Sequence, residues 1–539
     1  MKSNKSHGLK DKLVPYLLFP AVIGTLTGLL IFLFKVSSSA VMHASERIYA
    51  FVRENPIYLP LLIIGAGLIG VCSALILRVA KECRGGGIPT AVASVRGLVP
   101  LKWVEGVFAL FGSALLTYFA GIPLGNEGPS VQMGAAVGKG GSRIAGKDRL
   151  ALERYLMTGG ASSGFAIATG APLAGIMFAL EEAHRRFSVA LFTVASISVL
   201  CGVVTQRYLC FFFDVDTTFF DLSISQTLPS RYLWIAIIIG AVCAAVSLLF
   251  TRLYRAVGML SKTKIGKVPF TVKLVIIFVS VSIFGFFSQN FIGTGHSLIE
   301  SLLHGGGLWY AILLILFVRA MLMIFANNEG VSGGIFVPNL AFGAMIASLI
   351  AEGLISLNLI EKQYYVILIV VGMASFLAAA SRTPITAIAF SLEALCIASN
   401  VFPVILGVVV SYIIAEFSGN SSFTDAVIES RVKKAHRGKD AVIVYSHMTV
   451  MAGSFAEGIE IRDILWPPTC AVLSIDRNAS PSLNHDGQKL CEGDVLHLHY
   501  QTYEPEETLK MLTAILGEQP IDLNMRSHLG SEAHLVPLD

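Results

Sequence analysis

The run Gly125-Asn126-Glu127-Gly128-Pro129 sets one carboxylate between glycines, just ahead of a proline suited to the first turn of a helix. Apolar sequence flanks it on both sides. Glu127 is therefore expected at membrane depth, where an ionisable group is costly unless it faces a polar cavity, and it marks a functional site by default. The amides that open a helix are unpaired and carry the positive end of its dipole, so they bind anions. Glu127 reads as a resident anion at an anion site, one that a passing anion could displace. The plainer alternative is a carboxylate capping its own helix.

Other residues with chemical potential are weaker. Glu181-Glu182 ends an apolar stretch and is followed by His184, Arg185 and Arg186, bases expected as orientation anchors at a helix end. Gly160-Ala-Ser162-Ser-Gly164 fits the serine-hydrolase nucleophile pattern, but that pattern needs a strand–turn–helix context. Here it lies in MTGGASSGFAIATGAPLAG, a small-residue stretch typical of close helix packing in membranes, so no enzyme is expected. His296 and His304 have no metal partners at ligand spacing, and neither a P-loop nor a cofactor motif is present. Transport would be driven by gradients.

The elements that position these residues follow from composition. The 539 residues are 54% hydrophobic and 14% charged, with a mean hydropathy of +0.70. Soluble domains run to roughly a quarter charged residues, so an integral membrane protein is expected. A net charge of +4 calls for no nucleic-acid partner, and eight cysteines without a close pair argue against a zinc site or disulfide framework. Clear apolar segments lie near 13–34, 57–80, 103–121, 190–212, 231–253, 270–292, 307–326, 364–380 and 401–417. Between them stand Gly- and Pro-interrupted pieces at 84–100, 125–146, 158–182, 329–354 and 382–398. Several are too short to cross a bilayer of roughly 30 Å. Broken helices of this kind line cavities and, in transporters, point to the binding site. Met1 to Lys12 carries four lysines, which places the N-terminus in the cytoplasm.

An internal repeat is visible. Pro129 to Ala135 and Pro338 to Ala344 share the form P-x4-G-A, and Pro172 to Glu181 and Pro384 to Glu393 share P-x5-F-x-L-E. The offsets, 209 and 212 residues, are nearly constant. Two diverged halves, roughly 13–225 and 230–430, are expected, as in repeat-built transporters. Glu181 and Glu393 correspond and read as structural residues at helix ends. Glu127 corresponds to Phe336 and Glu182 to Ala394, so these two acids belong to one half only. That asymmetry points to a directional, acid-dependent function.

After Ser430 the character changes. Arg431, Lys433, Lys434, Arg437 and Lys439 form a basic linker over 431–439, again on the cytoplasmic side. Residues 440–503 read as a small soluble α/β domain, with strands at AVIVY, CAVLSI and GDVLHLHY and a short helix at SFAEGIEIRDI. Residues 504–539 read as a helix and a polar tail.

GGGIP (85–89), GNEGP (125–129) and GGIFVP (333–338), with GAPLAGIMFALEE (170–182) and RTPITAIAFSLE (382–393), resemble the ClC family of chloride channels and chloride/proton exchangers over residues 10 to 430. The resemblance implies an all-α polytopic membrane fold of two inverted halves with broken helices. It also implies a homodimer with one anion pathway per subunit and cytoplasmic termini. Glu127 stands where the family has its gating glutamate, and Glu182 where exchangers have an internal proton-relay glutamate. Ile335 and Phe336 match positions whose amides hold the central anion, and Gly86, Gly87, Ile88, Asn126, Gly128 and Gly334 complete the implied anion site. Gly86 stands where chloride-selective members carry Ser. Asn126 replaces the usual Arg or Lys. The inner-gate Tyr should fall near 423–424, where Phe423 and Thr424 stand. The expectation is an anion/proton exchanger in the cell membrane, with chloride as the anion; a passive channel, or an exchanger selective for fluoride or nitrate, is the alternative. The C-terminal domain resembles the RCK C-terminal (TrkA-C) module, which dimerises and in some members binds small ligands, including cyclic dinucleotides.

Overall fold

The computed structural model describes residues 14–144, 150–215, 219–220, 226–263, 266–305, 307–395, 397–477, 480–483 and 487–519. The basic tail Met1 to Lys12 and the polar tail from 520 lie outside the described residues. The first half runs α1 (Phe19–Glu54), α2 (Leu59–Val79), α3 (Ile88–Val95), α4 (Trp103–Phe119), α5 (Glu127–Ile144), α6 (Leu150–Thr169), α7 (Pro172–Phe178) and α8 (Val189–Phe213). The second runs α9 (Leu233–Thr263), α10 (Phe270–Phe287), α11 (His296–Leu303), α12 (Trp309–Glu329), α13 (Phe336–Ser356), α14 (Tyr365–Ser381), α15 (Pro384–Ala394), α16 (Val401–Phe417) and α17 (Phe423–Ala435). Among the described residues, eight helices are long and apolar enough to cross a membrane. The others include the broken pieces α3, α7, α11 and α15; α3 is buried along its whole length, and the other three each bury one side, so their backbone ends are tolerated against protein.

Small residues let the two halves pack alike. A Cβ on Gly134 of α5 would meet the Gly160 carbonyl oxygen of α6 at 2.1 Å, and one on Gly160 would meet that of Gly134 at 2.1 Å. The repeat places Gly343 of α13 and Gly372 of α14 in the same relation, at 2.2 and 2.4 Å. The Gly160–Gly164 pattern is thus a helix-packing seam within α6, with no strand before it.

The C-terminal unit is a four-stranded antiparallel sheet, β1 (Val442–Thr449), β2 (Ala471–Arg477), β3 (Ser480–Leu483) and β4 (Val495–Thr502), in the order β1-β4-β2-β3. The α18 helix (Pro505–Leu516) buries Leu512, Ile515 and Leu516 in the core of the sheet, so it belongs with the strands rather than with a separate tail. One expectation is corrected here. SFAEGIEIRDI is not an α-helix: Gly453 and Gly458 take positive φ (74° and 75°), and Glu460 bridges to Lys489, leaving one 3-10 turn at Ile461–Asp463. The basic linker is anchored to the membrane part at its start. It begins inside α17, where Arg431 is buried and donates to the Asn327 carbonyl at 2.8 Å, while Lys434 donates to that of Asn328 at 2.8 Å. Both cap the carbonyl end of α12, where cations are favoured.

Candidate functional site

Three helix starts meet in the middle of the membrane part. Gly87 precedes α3, Glu127 opens α5, and Ile335 precedes α13. Their loops are stitched across the two halves: Gly125 and Gly334 exchange backbone bonds at 2.7 and 2.6 Å, Gly333 donates to the Gly86 carbonyl at 2.9 Å, and Gly85 to that of Gly330 at 2.7 Å. Only glycine allows this approach. A Cβ on Gly128 would lie 2.6 Å from the Cα atoms of both Gly87 and Gly334, and 3.1 Å from the Ile88 nitrogen. Tyr118 holds the loop from α4, its hydroxyl donating to the Gly125 carbonyl at 2.9 Å.

Glu127 is fully buried at this junction. Its Oε2 lies over Gly125, where a Cβ would sit 2.3 Å away, and neither carboxylate oxygen has a hydrogen-bond partner of ordinary geometry. The same point above Gly125 lies 3.5 Å from Pro338 Cδ, in the first turn of α13. The N–H groups of Ile335, Phe336 and Val337 donate to no backbone carbonyl among the described residues, as the first turn of a helix requires. The Glu127 carboxylate thus lies beside the first turn of the other half's helix α13, as well as opening its own. Asn126 is buried too, with an unpartnered Oδ1. Lys35, Tyr118 and Val337 were not picked out from sequence. Lys35, the one cation in the apolar first part of α1, was a signal available in the sequence, since an ionisable residue at membrane depth is costly.

Gly86 faces a filled space. A Cβ there would meet Leu110 Cδ1 at 2.3 Å and Gln132 Oε1 at 3.1 Å. Gln132 is fully buried and its Oε1 is unpartnered, so a side-chain amide stands next to the position where a serine hydroxyl would reach. Phe423 packs its ring on Phe250 and Tyr254, with centroids 5.0 Å apart in each case, and Thr424 is buried.

Glu182 is buried (7% exposed) in the π-turn Ala179–Ala183 that follows α7. Arg96 pins its main chain, donating from Nη2 to the Glu182 carbonyl and from Nε to that of Ala183, both at 2.8 Å. The bases after it do not neutralise its carboxylate: Arg185 pairs with Asp425 at 2.6 Å and Arg186 donates to the Ile464 carbonyl at 3.0 Å. A chain of rings links the turn before Glu182 to the start of α13. Phe336 meets Phe165 edge-on at 5.2 Å, and Phe165 stacks on Phe178 at 5.3 Å, one helical turn before Glu182.

The comparisons agree with this geometry. The chain is 28% identical over 440 residues to the H(+)/Cl(-) exchange transporter ClcA of Yersinia pseudotuberculosis serotype IB (strain PB1/+), covering 79% of this chain and 90% of that protein. Among solved structures it resembles a slow cyanobacterial Cl-/H+ antiporter, with a TM-score of 0.71 at 22% identity over 78% of this chain and 99% of the other. It also resembles a eukaryotic CLC transporter, with a TM-score of 0.63 at 20% identity over 78% of this chain and 74% of the other. The sequence model described as "Voltage gated chloride channel" matches residues 66–416, and with the helix starts, broken helices and paired halves described above, this chain belongs to that family of membrane transport proteins, the ClC family.

Proposed function

We propose that the protein is a secondary active anion/proton exchanger with chloride as its anion, working as a homodimer in the cell membrane with both termini cytoplasmic. The observation that carries this reading is the buried Glu127 carboxylate at three converging helix starts, with hydrogen-bond capacity left unmet. An anion arriving at the amides of Ile335, Phe336 and Val337 competes with that carboxylate for the same donors. Protonation removes the competitor's charge, so proton uptake at Glu127 and anion occupancy are linked. Amides bind a halide without neutralising it, which lets it leave again.

Glu182 supplies the second station. It is buried, bears no ion pair among the described residues, and follows by one turn the first of the packed rings Phe178, Phe165 and Phe336. No side chain in that row carries a proton, so transfer between the two acids goes through water. Exchange of one charge for another then follows from two carboxylates that titrate on opposite sides of an apolar barrier. Anion flux and external pH, followed together in proteoliposomes under a chloride gradient, test the reading. Uphill proton movement is expected. Anion flux without it makes the protein a passive channel, and a flux larger for fluoride or nitrate than for chloride reassigns the cargo.

The C-terminal unit acts as a cytoplasmic ligand sensor that dimerises, with a cyclic dinucleotide as its first candidate ligand. What supports a coupling role is its seat on the membrane part. The Leu465 amide donates to the Tyr155 hydroxyl at 3.0 Å, Ser188 donates to the Asp463 carboxylate at 2.6 Å, and Leu465 packs with Tyr155, Leu180 and Leu191.

A further inference from the structure

A cavity of about 380 Å³ lies between the membrane part and the C-terminal unit, apart from the anion site. Its walls include Arg96 after α3, Arg154 of α6, His184 and Arg186 after α7, and Trp466 and Cys470 ahead of β2, and among the described residues no aspartate or glutamate lines it. The three guanidiniums are held in place by main-chain carbonyls. Arg96 takes those of Glu182 and Ala183, Arg154 those of Val95, Leu465 and Trp466, and Arg186 that of Ile464. None forms an ion pair with a carboxylate among the described residues, whereas their neighbour Arg185 is paired with Asp425. Three like charges around one partly enclosed space repel one another in a medium poorer than water at screening. They are tolerated where an anion joins them.

We infer that this cavity is a binding site for the phosphate group of a small ligand, gripped by Arg96, Arg154 and Arg186. Guanidinium forks match phosphate oxygens in pairs, and the volume is at the small end of ligand sites, enough for a modest phosphate ester or a lipid headgroup. The inference rests on the ligand-sensing reading given above and adds where the ligand sits. It also supplies a route to the transport site. Arg96 faces the cavity and holds the main chain of Glu182, and Arg154 bridges Val95 at the end of α3 to the Leu465–Trp466 segment. A phosphate that draws Arg96 towards the cavity competes with the Glu182 carbonyl for the same guanidinium.

Binding is tested on the full-length protein in detergent by thermal unfolding against inorganic pyrophosphate, with chloride at equal ionic strength as control. A second arm compares nanodiscs of phosphatidylglycerol with phosphatidylcholine. A saturable upward shift in Tm with pyrophosphate is expected. Arg186→Gln should weaken its apparent affinity about tenfold or more, Arg186→Lys should weaken it less, and Leu98→Trp, which fills the cavity, should abolish it. On the unaltered protein, pyrophosphate should slow alkylation of Cys470, read by peptide mass. A shift with phosphatidylglycerol alone, lost in the same variants, identifies the ligand as a lipid headgroup. Equal responses in wild type, Arg186→Gln and Leu98→Trp, or no response to either phosphate source, overturn the inference. Because the readout is binding, its failure leaves anion/proton exchange standing, and a failure of exchange leaves the binding result intact.

Discussion

Glu181 and Glu393 cap each other's half. The Glu181 carboxylate accepts from the Ile385 and Thr386 amides at 2.9 and 2.6 Å where α15 begins, and the Glu393 carboxylate accepts from the Leu173 and Ala174 amides at 2.8 and 3.0 Å where α7 begins. A carboxylate at a helix start satisfies orphan amides and meets the positive end of the dipole. The repeat therefore accounts for these two acids by structure and leaves Glu182 and Glu127 unaccounted for by it. Glu393→Gln keeps one acceptor and should cost about 0.5–2 kcal/mol, the range for losing a cap. Lowered thermal stability with proton coupling per anion unchanged is the expected result; altered coupling at full stability would assign Glu393 to transport instead.

Glu127→Ala should abolish proton movement while anion flux continues. The carboxylate is buried at the amide junction, and an uncharged side chain leaves that junction open to anions. Paired recordings of chloride efflux and pH in proteoliposomes decide it, and proton-coupled flux surviving in the variant sinks the role.

Glu182→Gln keeps shape and removes titration. Since Arg185 is engaged with Asp425 and Arg186 with the Ile464 carbonyl, Glu182 is not one half of a surface ion pair among the described residues. Anion flux should persist with proton coupling lost or strongly reduced. Unchanged coupling would make Glu182 a bystander.

Gly86→Ser adds a hydroxyl beside the anion loop. Its Cβ displaces the end of Leu110, a flexible side chain, and its hydroxyl also meets the unpartnered Gln132 Oε1. A hydrogen bond to a charged group is worth about 1.5–3 kcal/mol, so a shift of about tenfold towards chloride over nitrate is the expected ceiling, reduced by what Gln132 takes. Competition fluxes identical to those of the wild type would show that backbone amides alone select the anion.

The C-terminal unit should lose stability in acid. Asp494 is buried; burial alone would raise its pKa, but two Arg477 bonds of 2.7 Å and the Cys491 amide at 2.7 Å outweigh this and hold it below the ordinary aspartate value. A depressed folded-state pKa contributes stability that is present above the unfolded value and lost as pH falls through the folded one. Asp494→Asn should therefore lower the unfolding temperature of this unit at neutral pH and flatten its dependence on pH below about 4. Calorimetry at pH 7 and pH 3 on both proteins checks the sign. A truncation meant to silence ligand response must spare Arg431 and Lys434, which cap α12, so the cut belongs after Gly438 rather than after Ser430.

Sequence alone determined the class of this protein, because hydropathy, Gly/Pro interruptions and a P-x4-G-A repeat at near-constant offset are local features that survive without contacts. It also separated Glu127 and Glu182 from their matched neighbours, since a repeat exposes what one half has added. It could not say which helix a carboxylate serves. Glu181 and Glu393 reach helices more than 200 residues away, and Gly334 and Pro338 come to the loop of Glu127 from the other half of the chain. Nor could periodicity tell that Arg431 is a buried cap, or that SFAEGIEIRDI turns at Gly458 instead of coiling. Those outcomes depend on which backbone ends are left unpaired once the helices have packed, and only the tertiary structure decides that.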